Sequence, residues 1–237
     1  MLRIKLTLLT LIIGACATVS NSDVILLDSK PINAKSGNIL ENQLKETPID
    51  IWERIRRELT IKIPDDQIAA TSIYRERLYK NQSAVNRISK SGQRYLFHTL
   101  SRAQELDLPV ELALLPFVER EFDPYAKSVD GATGIWQFMP ATGKEWGLKS
   151  NWWYDGKKDV LASTEAALKF LSYLHQKFDE DWLLAMAAYN TGPTRVNRAI
   201  KKNKTQDKGI RFWDLDLPKE TTSYVPKLLV LCELINN

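Results

Sequence analysis

Cysteine is nearly absent from this chain: 237 residues carry two, Cys16 and Cys232, so no disulfide framework can staple it. Histidine is equally scarce. His98 and His175 stand apart, with no cysteine or HExxH spacing around them, which argues against a metal site. Neither a phosphate-binding glycine loop nor a serine nucleophile elbow occurs, and no cofactor is expected. No stretch alternates at period two over a strand's length. The net charge is only +4, and the basic residues are spread out apart from Arg54, Arg56, Arg57 and Lys201, Lys202, Lys204. Such clusters read as solvated faces, and without a recognition motif they do not point to nucleic acid. A mildly basic surface still suits an anionic polymer.

What is present begins at the N-terminus. Arg3 and Lys5 precede an apolar run at residues 6–13, the layout of a secretory signal and too short to span a bilayer as a mature helix. Ile13-Gly14-Ala15-Cys16 then resembles a bacterial lipoprotein processing site. On that resemblance residues 1–16 are a signal, Cys16 carries lipid, and its acyl chains hold the protein on a membrane surface. Ala17 replaces the Asp that resembles an inner-membrane retention signal, which favours the periplasmic face of the outer membrane. The plainer alternative is a small-residue cleavage site with a soluble periplasmic product. Cys232, set among Leu228, Leu229, Leu231 and Leu234, reads as a buried free thiol.

Residues 17–47 are mostly polar and read as a flexible tether. Residues 48–237 are expected to form one all-α domain. Ile51, Trp52, Ile55 and Leu59 repeat at helical spacing, and Pro64 separates them from a helix carrying Ile68, Ile73 and Leu78. A third helix would bury Val85, Ile88, Tyr95, Leu96, Thr99 and Leu100. Pro109 can open a helix running from Glu111 through Glu121, with Pro116 kinking it inside. Pro140 opens a short helix ending near Gly147, and Trp152-Trp153-Tyr154-Asp155-Gly156 is an aromatic turn. Asp159 and Asp181 read as caps of two further helices, the second stopping before Gly192 and Pro193. A short helix near residues 194–202 and a last one from Pro218 to Leu234 complete the series.

The chain is organised around residues 112–137. An apolar run at 112–118 leads into Glu119, after which Phe122, Asp123 and Pro124 end it. A carboxylate drawn out of water has its charged form disfavoured and can hold a proton near neutrality, as a general acid must. The same pattern also describes an ordinary helix meeting solvent. Gly131, Thr133 and Gly134 then make a loop through which backbone can approach a ligand, followed by Trp136 and Gln137. Farther on, Ala188-Tyr189-Asn190 and Gly192 close an apolar helix with a phenol, an amide and a glycine.

Glu119, Gly134-Ile135-Trp136-Gln137 and Ala188-Tyr189-Asn190 with Gly192 together resemble the lytic transglycosylases of the soluble type, relatives of goose-type lysozyme. The resemblance runs from about Ile51 onward and includes Asp159-Val160, Asp181-Trp182-Leu183-Leu184 and Tyr224-Val225-Pro226-Lys227. It implies a single lysozyme-like helical domain with a substrate cleft, acting as a monomer on peptidoglycan glycan strands. It selects Glu119 over Glu121 as the acid. It implies that Gly134, Ile135, Trp136 and Gln137 form a floor for sugar N-acetyl groups with Trp136 stacking, although a buried aromatic in a tight turn is the alternative. By the same resemblance Tyr189 bonds near the reacting centre, Asn190 supports the cleft, and Tyr224 is its last aromatic. Arg120 departs from the pattern, standing where relatives carry Ser. Adjacent helix residues do not face each other, so its effect on Glu119 is expected to be small. Asp130, Glu145 and Asp155 sit in no matching motif and read as caps and turns.

The resemblance implies non-hydrolytic cleavage between N-acetylmuramic acid and N-acetylglucosamine, leaving a 1,6-anhydro end. Glu119 would serve as acid and then as base. A goose-lysozyme-like hydrolase is an alternative, and it calls for a second carboxylate that the sequence does not reveal. A non-catalytic wall-binding lipoprotein is the other, motivated by Arg120.

Overall fold

Aspartates and prolines set the joints of this fold. In the computed structural model, backbone is described at residues 50–80 and 82–236, with side chains at 50–80 and 94–236. The signal at 1–16, Cys16 and the tether at 17–47 lie outside the described residues, as do the side chains of Val85 and Ile88. The helices are α1 (Ile51–Glu58), α2 (Ile68–Lys80), α3 (Gln82–Glu105), α4 (Leu115–Arg120), α5 (Pro140–Glu145), α6 (Val160–Lys177), α7 (Trp182–Thr191), α8 (Pro193–Thr205) and α9 (Lys219–Asn236). Short 3-10 turns occupy Asp65–Gln67, Val110–Leu114 and Phe212–Asp214. Among the described residues there is no strand, only isolated bridges such as Thr133 with Phe138 and Ser150 with Asp155. The class is all-α.

Asp159 opens α6 by accepting the backbone N–H groups of Leu161 and Ala162, each at 3.0 Å, and Asp181 opens α7 by accepting that of Leu184 at 3.0 Å. Such a cap satisfies donors that the first turn leaves without partners. Gly192, at φ 89, ends α7 in a conformation costly for any other residue, and Pro193 starts α8 where its missing N–H is not needed.

The segment leading to Glu119 differs from the single kinked helix expected. Val110–Leu114 is a 3-10 turn, and α4 begins afresh at Leu115 with Pro116 in its first turn. Proline is tolerated there because no intrahelical bond requires its N–H, so the chain restarts rather than kinks. Helix α4 ends at Glu121 in the left-handed region (φ 50), and the Phe122 N–H reaches back to the Pro116 carbonyl at 3.2 Å. Glu119 and Glu121 are therefore separated by the helix terminus, not by rotation around a continuing helix.

The core gathers the buried run 110–115 with Leu96, Leu100, Leu171, Leu174, Met186, Val225 and Leu228. Helix α9 packs against α1, α2, α4 and α7, and so brings its C-terminal sequence onto the acid-bearing segment. The free thiol of Cys232 is buried in it. Helix α2 is less enclosed than its spacing suggested, with Ile68 and Ile73 47% and 48% exposed and Thr71 buried instead. Glu111 is fully buried, and its Oε1 accepts the backbone N–H of Ile61 at 2.6 Å and also that of Thr60, tying the α1–α2 connection to the core.

Candidate active site

The buried run ends by delivering Glu119 to the last turn of α4, where it lines a cleft of about 770 Å³. Helix α9 supplies Tyr224 to the same lining. Its Oη donates to Glu119 Oε1 at 2.7 Å. Burial raises the Glu119 pKa from 4.5 to about 7; the Tyr224 bond opposes that rise, Glu220 adds to it, and Arg120 lowers it as the smallest of the four influences. Arg120 thus has the minor effect that its position on the helix suggested. A carboxyl with a pKa near neutrality can both donate and recover a proton there.

Helix α7 contributes Tyr189 and Asn190 to the same cleft. The Tyr189 hydroxyl donates to the Trp136 carbonyl at 2.8 Å, fixing the loop beneath it. Burial raises the Tyr189 pKa far above its usual value, and the nearby Glu119 charge adds to the effect, so this phenol stays protonated. Asn190 Oδ1 accepts the Thr221 hydroxyl at 2.8 Å, joining α7 to the first turn of α9.

The loop at residues 131–138 is built by close approach. Gly134 has φ 82, and a Cβ on it would fall 1.9 Å from the Lys157 carbonyl oxygen, so only glycine fits. Gln137 lines the cleft with its amide turned back, Nε2 donating to the Gly134 carbonyl at 2.7 Å. Trp136 does not form the expected stacking surface. It is fully buried, and its Nε1 donates to Thr164 Oγ1 at 2.9 Å, so the indole is core. Ile135 is buried likewise, and neither it nor Gly134 lines the cleft. These three residues shape the loop, whereas Glu119, Gln137, Tyr189, Asn190 and Tyr224 meet the cavity.

Two carboxylates besides Glu119 face the cleft. Asp130, a turn residue by its sequence context, and Glu220, which sits in no sequence motif identified above, are both in its lining. Glu220 stands four residues before Tyr224, one helical turn, and that spacing was the available signal. Asp155 is committed elsewhere, pairing with Lys157 Nζ at 2.6 Å.

Comparison with known proteins gives the site a context. Residues 98–212 match the family described as Transglycosylase SLT domain, a span holding Glu119, Gly134 to Gln137, Tyr189 and Asn190. Membrane-bound lytic murein transglycosylase D of Escherichia coli (strain K12) is 42% identical over 188 residues, which are 79% of this chain and 41% of that protein. The putative tributyltin chloride resistance protein of Alteromonas sp. (strain M-1) is 42% identical over 124 residues, 52% of this chain and 60% of the relative. The chain thus spans less than two thirds of the length of either. An X-ray structure of an inactive mutant of lytic transglycosylase Slt from Pseudomonas aeruginosa aligns over 60% of this chain and 23% of its own, at 24% identity and a TM-score of 0.45. Residues 98–212, a little under half of this chain, are thus similar to the family described as Transglycosylase SLT domain.

Proposed function

We propose that this chain is a lytic transglycosylase that cleaves the glycan strands of peptidoglycan, with Glu119 as its acid and base. The observation that carries this reading is the Glu119 carboxyl, raised to about 7 and held by Tyr224 in a cleft of about 770 Å³. Glu119 gives its proton to the oxygen between N-acetylmuramic acid and N-acetylglucosamine, and the C1–O bond breaks. The muramic N-acetyl carbonyl oxygen bonds to C1 and takes up the positive charge. Glu119, now a carboxylate, removes the proton from the C6 hydroxyl of the same sugar. O6 attacks C1 and displaces the acetyl oxygen, leaving a 1,6-anhydro ring and a reprotonated Glu119. One carboxyl suffices because the substrate's own N-acetyl group replaces a second one. The names of the relatives support the substrate class.

Hydrolysis is a second reading, favoured by Asp130 and Glu220 in the cleft, either of which could activate water. Gln137 and Asn190 are the groups suited to hold the sugar, and Tyr189 to keep the loop beneath it rigid. Attachment through lipid on Cys16, at the periplasmic face of the outer membrane, is part of the proposal; it rests on the processing-site pattern and on a relative named membrane-bound. Among the described residues no helix is long and apolar enough to cross a membrane. The test is release of soluble fragments from purified sacculi. We expect release by the parent and none by Glu119→Gln, with sacculus binding retained in both; binding without release by the parent would instead favour a wall-binding role.

A further inference from the structure

We propose that Glu220, one helical turn before Tyr224 on α9 and in the lining of the same cleft as Glu119, is a positioning residue for the reaction proposed above, a second carboxylate placed so that Glu119 keeps its proton until the sugar takes it. This rests on the lytic reading and deepens it.

The placement is built into α9. Glu220 and Tyr224 are one helical turn apart and face the same cleft, and Tyr224 touches Glu119 directly. The turn bearing Glu220 is fixed on both sides. Thr221, almost wholly buried, donates its hydroxyl to Asn190 Oδ1 at 2.8 Å, and the Ser223 hydroxyl donates to the Glu220 carbonyl at 2.8 Å. Glu220 itself is exposed at the cleft edge, in solvent, while Glu119 lies deeper.

The two residues from α9 act on Glu119 in opposite directions. The Tyr224 hydroxyl bonds its charged form and favours loss of the proton; the Glu220 charge opposes that loss. From its own helix Arg120 favours ionisation weakly. Asp130 from the loop, Lys227 from α9 and Tyr189 from α7 also line the cleft, the last as a neutral phenol. Without Glu220, burial alone would have to offset both Tyr224 and Arg120. An acid near pH 7 works only if it is protonated when substrate arrives, and a negative charge in the lining of the same cleft serves that need.

The experiment compares the parent, Glu220→Gln and Glu220→Asp by two readouts. The first is the titration of the Glu119 carboxyl by 13C NMR, its signal assigned by its loss in Glu119→Gln. The second is the pH profile of sacculus solubilisation. We expect Glu220→Gln to lower the Glu119 midpoint and move the basic limb of activity to lower pH, with Glu220→Asp close to the parent. At about pH 8 the Glu220→Gln rate should fall roughly two- to fivefold more than at about pH 5, a fraction of the tenfold that one full unit would give. An unmoved midpoint and limb, or an equal loss at every pH, would overturn the Glu220 assignment alone. A parent that solubilises no sacculi while its midpoint still responds to Glu220 would defeat the lytic reading and leave the coupling standing.

Discussion

The Tyr224 hydroxyl lies 2.7 Å from Glu119 Oε1, joining the last helix of the chain to the end of α4. A phenol donor stabilises the carboxylate over the carboxyl, so this bond draws the pKa of Glu119 down against the larger effect of burial. Removing it in Tyr224→Phe should raise that pKa and carry the basic limb of activity to higher pH, opposite to Glu220→Gln. The orienting contact is lost too, and we expect kcat/KM at the optimum to fall by roughly tenfold. Rate measurements across the pH range check both.

The raised pKa of Glu119 also sets a stability dependence. Its folded value, about 7, lies above the 4.5 of a free glutamate, so its contribution to stability is full below the lower value and is lost as pH rises through the higher. Ionising it in place costs at most about 3–4 kcal/mol. Glu119→Gln removes that penalty. Its melting temperature should exceed the parent's at about pH 8, with the gap closing toward about pH 4. A gap that does not change with pH would contradict the buried, protonated acid.

Trp136 supplies a test that separates core from cleft. Its indole is enclosed and bonded to Thr164, so Trp136→Phe should lose about 1–2 kcal/mol in urea denaturation while KM for glycan stays the same. A raised KM without lost stability would restore the stacking role expected from sequence.

Gly134→Ala should be severe. A left-handed backbone at φ 82 and a Cβ meeting the Lys157 carbonyl oxygen leave no side chain to yield, and we expect a loss of roughly 3 kcal/mol or more by thermal denaturation.

The parts of this fold legible in the sequence are those governed by local chemistry. Asp159 and Asp181 announce their helices because a cap needs only the N–H groups two or three residues on. Glu119 was visible as the carboxylate closing an apolar run. Pro116 was misplaced because the same residue kinks a helix interior or opens a helix, and the choice depends on what packs around it. Trp136 reads as a sugar platform in the sequence because spacing cannot tell an indole turned inward to Thr164 from one turned outward. Glu220 shares a helical turn with Tyr224 in the sequence, but only the packing of α9 on α4 brings that turn to the Glu119 cleft.

On the lytic reading proposed above, Glu119 drives an internal transfer that involves the sugar's own C6 hydroxyl. It is tested most directly by mass analysis of fragments released from purified sacculi by the parent and by Glu119→Gln. We expect muramic ends one water lighter than hydrolysed ones, present with the parent and absent with the variant. Reducing ends from the parent would contradict it, and would make Asp130 or Glu220 the base for an attacking water.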